Sequence, residues 1–207
     1  MRNLAFLSLV LVAVFSSSCA SIKNGCRNYE TVTLYRQDIR PMIEASNSLQ
    51  TFDIEIIFGR KSVDGMLLIK KQTKNTVRVV INSYFGMSMM DFESSPHSFK
   101  VHYIHDALNK PLIVSMFKND FQLLLGQNFP EQFLAQQSTC NNGESLITTF
   151  LSEKKHLFRI TSKKSITEIK TPWVKIKNIY RSDGRTIILK HTGIFSPDII
   201  IKKNSSE

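Results

Sequence analysis

What the chain lacks excludes several classes of function. Leu4 to Phe15 is an apolar run of only twelve residues, whereas a spanning helix needs about 20. No G-x-S-x-G elbow accompanies the serine-rich stretches, which argues against the strand-turn-helix nucleophile of the α/β-hydrolases. The glycine patterns that cradle phosphates are missing too. The histidines His97, His156 and His191 have no ligand-like spacing, and the odd separation of His102 and His105 puts them on opposite faces of a strand. No metal or other cofactor is therefore expected. Nucleic-acid motifs, internal repeats, low-complexity tracts and inter-domain linkers are likewise missing. Acids are scarce, with 17 Asp and Glu against 27 Lys and Arg, for a net charge of +10.

The short apolar run has a use of its own. Arg2 supplies a positive n-region before it, and Phe15-Ser16-Ser17-Ser18-Cys19-Ala20 follows, which together make residues 1–18 a secretory signal peptide. Small residues directly before a cysteine resemble the lipobox of bacterial lipoproteins, in which Cys19 becomes the acylated first residue. Ser16 departs from the aliphatic residue the strict box prefers, and the alternative is ordinary cleavage near Ala20 with Cys19 lost. One acyl chain holds a protein to a membrane only marginally, whereas two or more anchor it stably; lipoproteins of this type carry three. Residues 19–28 then form a lipidated tether with no acid before Glu30. By resemblance to known sorting rules, this implies the periplasmic face of an outer membrane. Removal from the cytoplasm also argues against a nucleic-acid partner.

Residues 29–207 form one domain, organised around 52–125. Phe52, Ile54, Ile56 and Phe58 alternate with Asp53, Glu55 and Ile57, the period of a strand with one buried face. Runs at 63–69, 76–81, 87–92 and 98–103 continue a meander, because sequential strands with short links pair as antiparallel neighbours. In the second run Met66 and Leu68 fall on one face and Leu67 and Ile69 on the other, so that strand is expected to be covered on both sides. The period then changes. Asn109 is placed to cap and Pro111 suits a first turn. Ile113, Met116, Phe117, Phe121 and Leu124 recur at helical spacing, and Gly126 is a natural stop. So apolar a helix must lie against the sheet, where it either fills an ordinary core or lids a curved sheet over a cavity for an apolar ligand.

Elsewhere the pattern is less regular. Residues 31–35 read as extended, 40–45 as a helical turn or loop, and 127–138 as a loop with a short helix around Glu131 to Gln136. Further strands are expected at 145–150, 156–161, 166–170, 174–180, 186–191 and 199–202. Ser182-Asp183-Gly184-Arg185 marks a hairpin between two of them. Cys26 in the tether and Cys140 in a loop are either bridged, which an oxidising periplasm permits, or two free thiols.

Residues 154–203 hold 13 Lys and Arg against three acids. Lys175 and Lys177 alternate with Val174 and Ile176, which puts this charge on the outer face of a sheet. Such a face either discourages edge-to-edge association or attracts anionic headgroups or an acidic envelope partner. Asp53 and Glu55 share one strand face roughly 7 Å apart, a spacing that glycosidase carboxylates use. A flat wet surface does not shift a carboxyl pKa, so no enzyme is expected.

The segment Val63-Asp64-Gly65-Met66-Leu67-Leu68-Ile69-Lys70-Lys71, with Thr76 to Val80 and Tyr84-Phe85-Gly86-Met87-Ser88-Met89-Met90-Asp91-Phe92, resembles uncharacterised lipoproteins of the Bacteroidetes. Phe99 to Tyr103 and the helix over 109–125 continue the likeness, which covers about half the chain. The order of elements is similar to the LolA/LolB lipoprotein carriers. That resemblance implies a mainly β, α+β fold: a curved antiparallel half-barrel of about ten strands with one main helix on its concave face. The leading expectation is that this face receives acyl chains or another apolar ligand, lined by the apolar residues Phe52, Ile54, Ile56, Leu67, Ile69, Val79, Ile81, Phe117 and Phe121. None of the carriers' functional residues transfers to this chain. The competing expectation is a scaffold that docks through Lys175 and Lys177.

Overall fold

The computed structural model describes residues 26–140, 145–151, 156–161, 164–182, 184–193 and 197–204. The expected signal segment, residues 1–18, and Cys19 lie outside the described residues. The chain is mainly β, with thirteen strands in one antiparallel sheet. The first, β1 (Cys26–Tyr35), precedes a meander of β2 (Gln50–Phe58), β3 (Lys61–Lys71), β4 (Val77–Ser83), β5 (Ser88–Ser94) and β6 (Phe99–Ile104). Helix α1 (Pro111–Leu124) follows. A second meander contains β7 (Gln132–Cys140), β8 (Ser145–Leu151), β9 (His156–Thr161), β10 (Ile166–Lys170), β11 (Val174–Arg181), β12 (Gly184–His191) and β13 (Asp198–Asn204).

The last strand seats itself beside the first meander, β13 on β2, while β1 adds to β7. The order is β1-β7-β8-β9-β10-β11-β12-β13-β2-β3-β4-β5-β6. Because β6 is one edge and β7 lies next to the other, their connection has to cross the whole sheet. Helix α1 makes that crossing over the apolar face. Its Phe121 meets Phe92 of β5 edge-on at 5.1 Å, and its Asp120 contacts His191 of β12 at 2.9 Å. Those strands are five spacings apart, about 24 Å along a flat sheet. Neighbouring helix residues project about 100° apart, so both contacts require the sheet to curl around the helix. The helix therefore lies on a concave face.

Alternation runs through nearly every strand. In β4, Val77, Val79, Ile81 and Ser83 are buried while the intervening residues are half-exposed. Ile187 and Leu189, Ile199 and Ile201, and Val174 and Ile176 bury the same face farther along. Strand β3 is covered on one side only, contrary to expectation. Leu67 and Ile69 are buried but Met66 is exposed, because among the described residues no second layer covers the outer face of the sheet. Fully burying a large apolar side chain contributes about 1.5–3 kcal/mol, and this one core spans the entire concave side.

Two local expectations are corrected. The 127–138 stretch holds no helix. It leads into β7, whose Phe133 and Ala135 are buried while Leu134 and Gln136 are exposed. Pairing with both β1 and β8 outweighs the helix propensity of its glutamines. Lys110, not Asn109, is the N-cap of α1 and makes no side-chain cap bond. Pro111 occupies the first turn, where its missing N–H leaves nothing unsatisfied, and the Asn109 N–H turns back to the carbonyls of His105 and Asp106. The curved antiparallel sheet with one main helix is as expected, and β1 and β7 extend it by pairing with one another. The 182–185 hairpin occurs as expected, with Arg181 opposite Gly184.

Candidate functional site

All nine residues expected to line a ligand site, Phe52, Ile54, Ile56, Leu67, Ile69, Val79, Ile81, Phe117 and Phe121, are buried in one core. Helix α1 presses on them. So does the irregular strap 39–45, whose Ile39, Met42 and Ile43 are buried. The strap is hung across the concave face by backbone bonds. The Arg40 N–H donates to Lys164 O at 2.8 Å on one side, and the Lys71 N–H donates to Ser46 O at 2.8 Å on the other. In the middle, the Ile43 N–H donates to Leu124 O at 2.9 Å and ties the strap to the end of the helix.

Beside this tie a groove of about 400 Å³ opens, within the usual size range of small-molecule sites. Its floor includes Ile39, Ile43, Val77 and Phe129, which also belong to the core, and Arg36, Lys71 and Lys74 stand on its rim with Glu44. None of the nine expected lining residues borders it. The groove thus adjoins the core and is not the core itself. Gly126, with a φ of 68°, turns the chain between α1 and Phe129 at this point. A Cβ there would stand 3.1 Å from both Pro41 and the Phe129 ring, so the strap and the helix end approach closely because this residue has no side chain.

The helix is held over the sheet by polar contacts at positions the sequence reading passed over. Asp120 is fully buried, and its Oδ2 lies 2.9 Å from His191 Nε2. Its Oδ1 has no partner among the described residues. His191 Nδ1 lies 2.6 Å from Pro197 O, and the His191 backbone N–H donates to Asp198 Oδ1. Burial pushes the Asp120 carboxyl up, partly opposed by the bond from His191. Burial alone would lower His191, but the hydrogen bond and charge of Asp120, helped by the Pro197 carbonyl and Asp198, raise it above its ordinary value. Gln122 at the other side donates to Ser95 O at 2.9 Å, and Gln127 bonds both Ser94 Oγ and Ser94 O. A signal for Asp120 was present: it sits four residues after Met116 and four before Leu124, on the apolar stripe itself.

The other expected residues are spread over the surface. Lys175 and Lys177 are exposed on the outer face of β11. Lys175 is opposite Lys190 on one side and Lys170 on the other, and it pairs with Glu168 at 3.2 Å. Glu168 also binds Arg159 at 2.8 Å. Asp53 and Glu55 lie on the outer face of β2, where the Tyr84 hydroxyl donates to Asp53. This bond, with some burial, pushes the Tyr84 hydroxyl up to about 12. The backbone register of β1 and β7 puts Cys26 directly opposite Cys140. Among the described residues no group of three or more His, Cys, Asp or Glu is gathered to hold a metal ion, and no helix is long and apolar enough to cross a membrane. No protein-family model matches this chain, and neither a curated protein nor a solved structure does.

Proposed function

We propose that this chain is an outer-membrane lipoprotein, anchored at the periplasmic face through Cys19, that takes acyl chains or another apolar ligand against its concave sheet. The reading follows the likeness to LolA/LolB carriers, and no covalent chemistry is assigned to it. The observation that carries it is the groove beside Gly126, whose Ile39, Ile43, Val77 and Phe129 also belong to the core beneath α1. The nine core residues are closed over by the helix and the strap, so an acyl chain has to displace one of them. Polar ties of the helix and strap then act as the closures to be opened: Asp120 to His191, Ile43 to Leu124, and Gln122 to Ser95. Apolar burial at about 25 cal/mol per Å² supplies the driving force.

Native mass spectrometry of the full chain after gentle membrane extraction tests this. Co-purified lipid, and uptake of a fluorescent fatty acid by the delipidated protein, are the expected results. A ligand-free protein that also ignores the fatty acid would overturn it.

A second reading rests on the outer face, where Lys170, Lys175 and Lys190 stand in one row across β10, β11 and β12. On this reading the protein is a scaffold that docks an acidic envelope partner. Reversal of Lys175 and Lys177 to Glu is expected to abolish partner pull-down and leave fatty-acid uptake intact. Unchanged pull-down would remove this reading.

A further inference from the structure

Tyr180, Arg185, Lys203 and Phe52 form a row across four adjacent strands on the concave face. The register sets Tyr180 opposite Arg185, and Arg185 opposite Lys203. The Arg185 guanidinium lies 5.5 Å from the centre of the Tyr180 ring, and Lys203 Nζ lies 5.5 Å from that of Phe52. All four share the parity of the buried residues Ile176, Ile187, Ile201 and Ile54, and with Phe52 buried, Arg185 and Lys203 half-buried and Tyr180 exposed, the two cations stand on the concave side at its rim.

Like charges directly opposite on neighbouring strands destabilise a sheet, and partial burial makes this worse. Neither cation has a carboxylate partner among the described residues. The ion pairs there involve Arg78, His102, Arg159, Lys164, Lys175 and His191 instead. Arg185 Nε donates to Asn178 Oδ1 at 2.8 Å, which fixes the plane of the guanidinium. Its Nη2 is buried and has no partner among the described residues. The flanking rings offset part of the repulsion through cation–π attraction, but they accept none of the free N–H bonds.

We propose that Arg185 and Lys203 form an anion site for the phosphate or carboxylate group of a ligand on the concave face. A planar fork beside an ammonium suits such a group, which accepts charge-assisted bonds from both. The next pair inward in the same register is Ile187 opposite Ile201, so an alkyl chain attached to the anion runs directly onto the core. The geometry therefore fits an anionic amphiphile, with its head on the cations and its tail inward. The tail rests on the apolar-ligand reading above, whereas the anion site itself does not.

Titration calorimetry of the full chain with dodecyl phosphate, dodecanol and inorganic phosphate, each below its aggregation range, separates the two. Dodecyl phosphate is expected to bind about tenfold more tightly than dodecanol, and R185Q/K203Q to abolish that preference without weakening dodecanol. Inorganic phosphate bound by the unaltered chain and not by R185Q/K203Q, without any dodecanol binding, would support the anion site and sink the apolar-ligand reading. Equal binding of dodecyl phosphate and dodecanol would overturn the anion site and leave the apolar one. A preference that survives in R185Q/K203Q, or no binding of any probe, would overturn it as well. Should the double variant fail to fold, amide exchange on the unaltered chain decides: slowed exchange over 184–188 and 199–203 with dodecyl phosphate supports the site, and unchanged exchange overturns it.

Discussion

Asp120 and His191 share a proton. The Pro197 carbonyl, 2.6 Å from His191 Nδ1, can only accept, so that nitrogen carries a hydrogen. The contact of 2.9 Å between Nε2 and Asp120 Oδ2 then needs a second proton, carried either by the ring or by the carboxyl. Without it, two lone pairs would face each other inside the core. Both groups accordingly hold protons more tightly than they do in water. This pair joins the lidding helix to the far half of the sheet.

Stability is therefore expected to depend on pH through this pair. The native pair holds its shared proton more tightly than the unfolded histidine holds its own, so raising the pH favours the unfolded chain. His191 contributes fully below its unfolded value near 6.5 and loses that contribution as pH rises through its elevated native value. The carboxyl and the ring hold that one proton between them, so the decline belongs to the pair and begins where the unfolded histidine releases its own. Chemical denaturation from pH 5 to 9 is the measurement, and H191Q is expected to flatten the decline. Removing one partner of a buried pair costs about 3–5 kcal/mol, so His191→Ala should destabilise by that order at pH 6. A pH-independent difference between the two proteins would contradict the assignment.

Gly65 of β3 is expected to resist any enlargement. A Cβ built on it would lie 2.0 Å from the Asn82 carbonyl oxygen and 3.0 Å from Ser83 Cα. These are backbone atoms of β4 and have no rotamer to change. Gly65→Ala should cost about 1–3 kcal/mol, the usual range for overpacking, and speed amide exchange in Asn82 and Ser83. A melting temperature equal to that of the unaltered chain would contradict the close approach.

Two phenylalanines should behave oppositely. Phe121 is 1% exposed and packs on Phe92, whereas Phe85, at the tip of the β4–β5 turn, is 99% exposed. Phe121→Ala is expected to cost about 3–5 kcal/mol and Phe85→Ser less than about 0.5 kcal/mol, both read from urea midpoints. Similar losses at the two sites would mean that the tip is covered in solution.

The cysteines give a chemical prediction. Strands in register hold opposed Cα atoms about 4.5–5.5 Å apart, inside the range a disulfide spans. Exported protein should lose two hydrogens of mass on forming the Cys26–Cys140 bridge, with Cys19 acylated at the new N-terminus. Intact-mass analysis before and after reduction checks both. Alkylation of Cys26 and Cys140 without reduction would rule out the bridge, and an unmodified Cys19 would remove the anchor.

Local periodicity was enough for the first meander, the helix and most of the second meander, because a two-residue or 3.6-residue repeat of apolar side chains reports directly which face is buried. The same repeat marked Phe52, Leu67, Val79 and Phe121 as one surface. It was silent about what fills that surface. Strap 39–45 has no period, and Ile43 is buried only because Leu124, some eighty residues away, accepts its N–H. The Gln-rich run before Cys140 looked helical until its partner strand, more than a hundred residues earlier, was in place. Asp120 stands on the apolar stripe of the helix, but only the curl of the sheet brings His191 to it. Arg185 and Lys203 each look like ordinary surface cations, and only the register between β12 and β13 sets them face to face. Burial patterns are local and so are written in the chain order. Pairings between distant charges, and the choice between a filled core and an open one, depend on how the sheet bends, which is settled only when all thirteen strands are together.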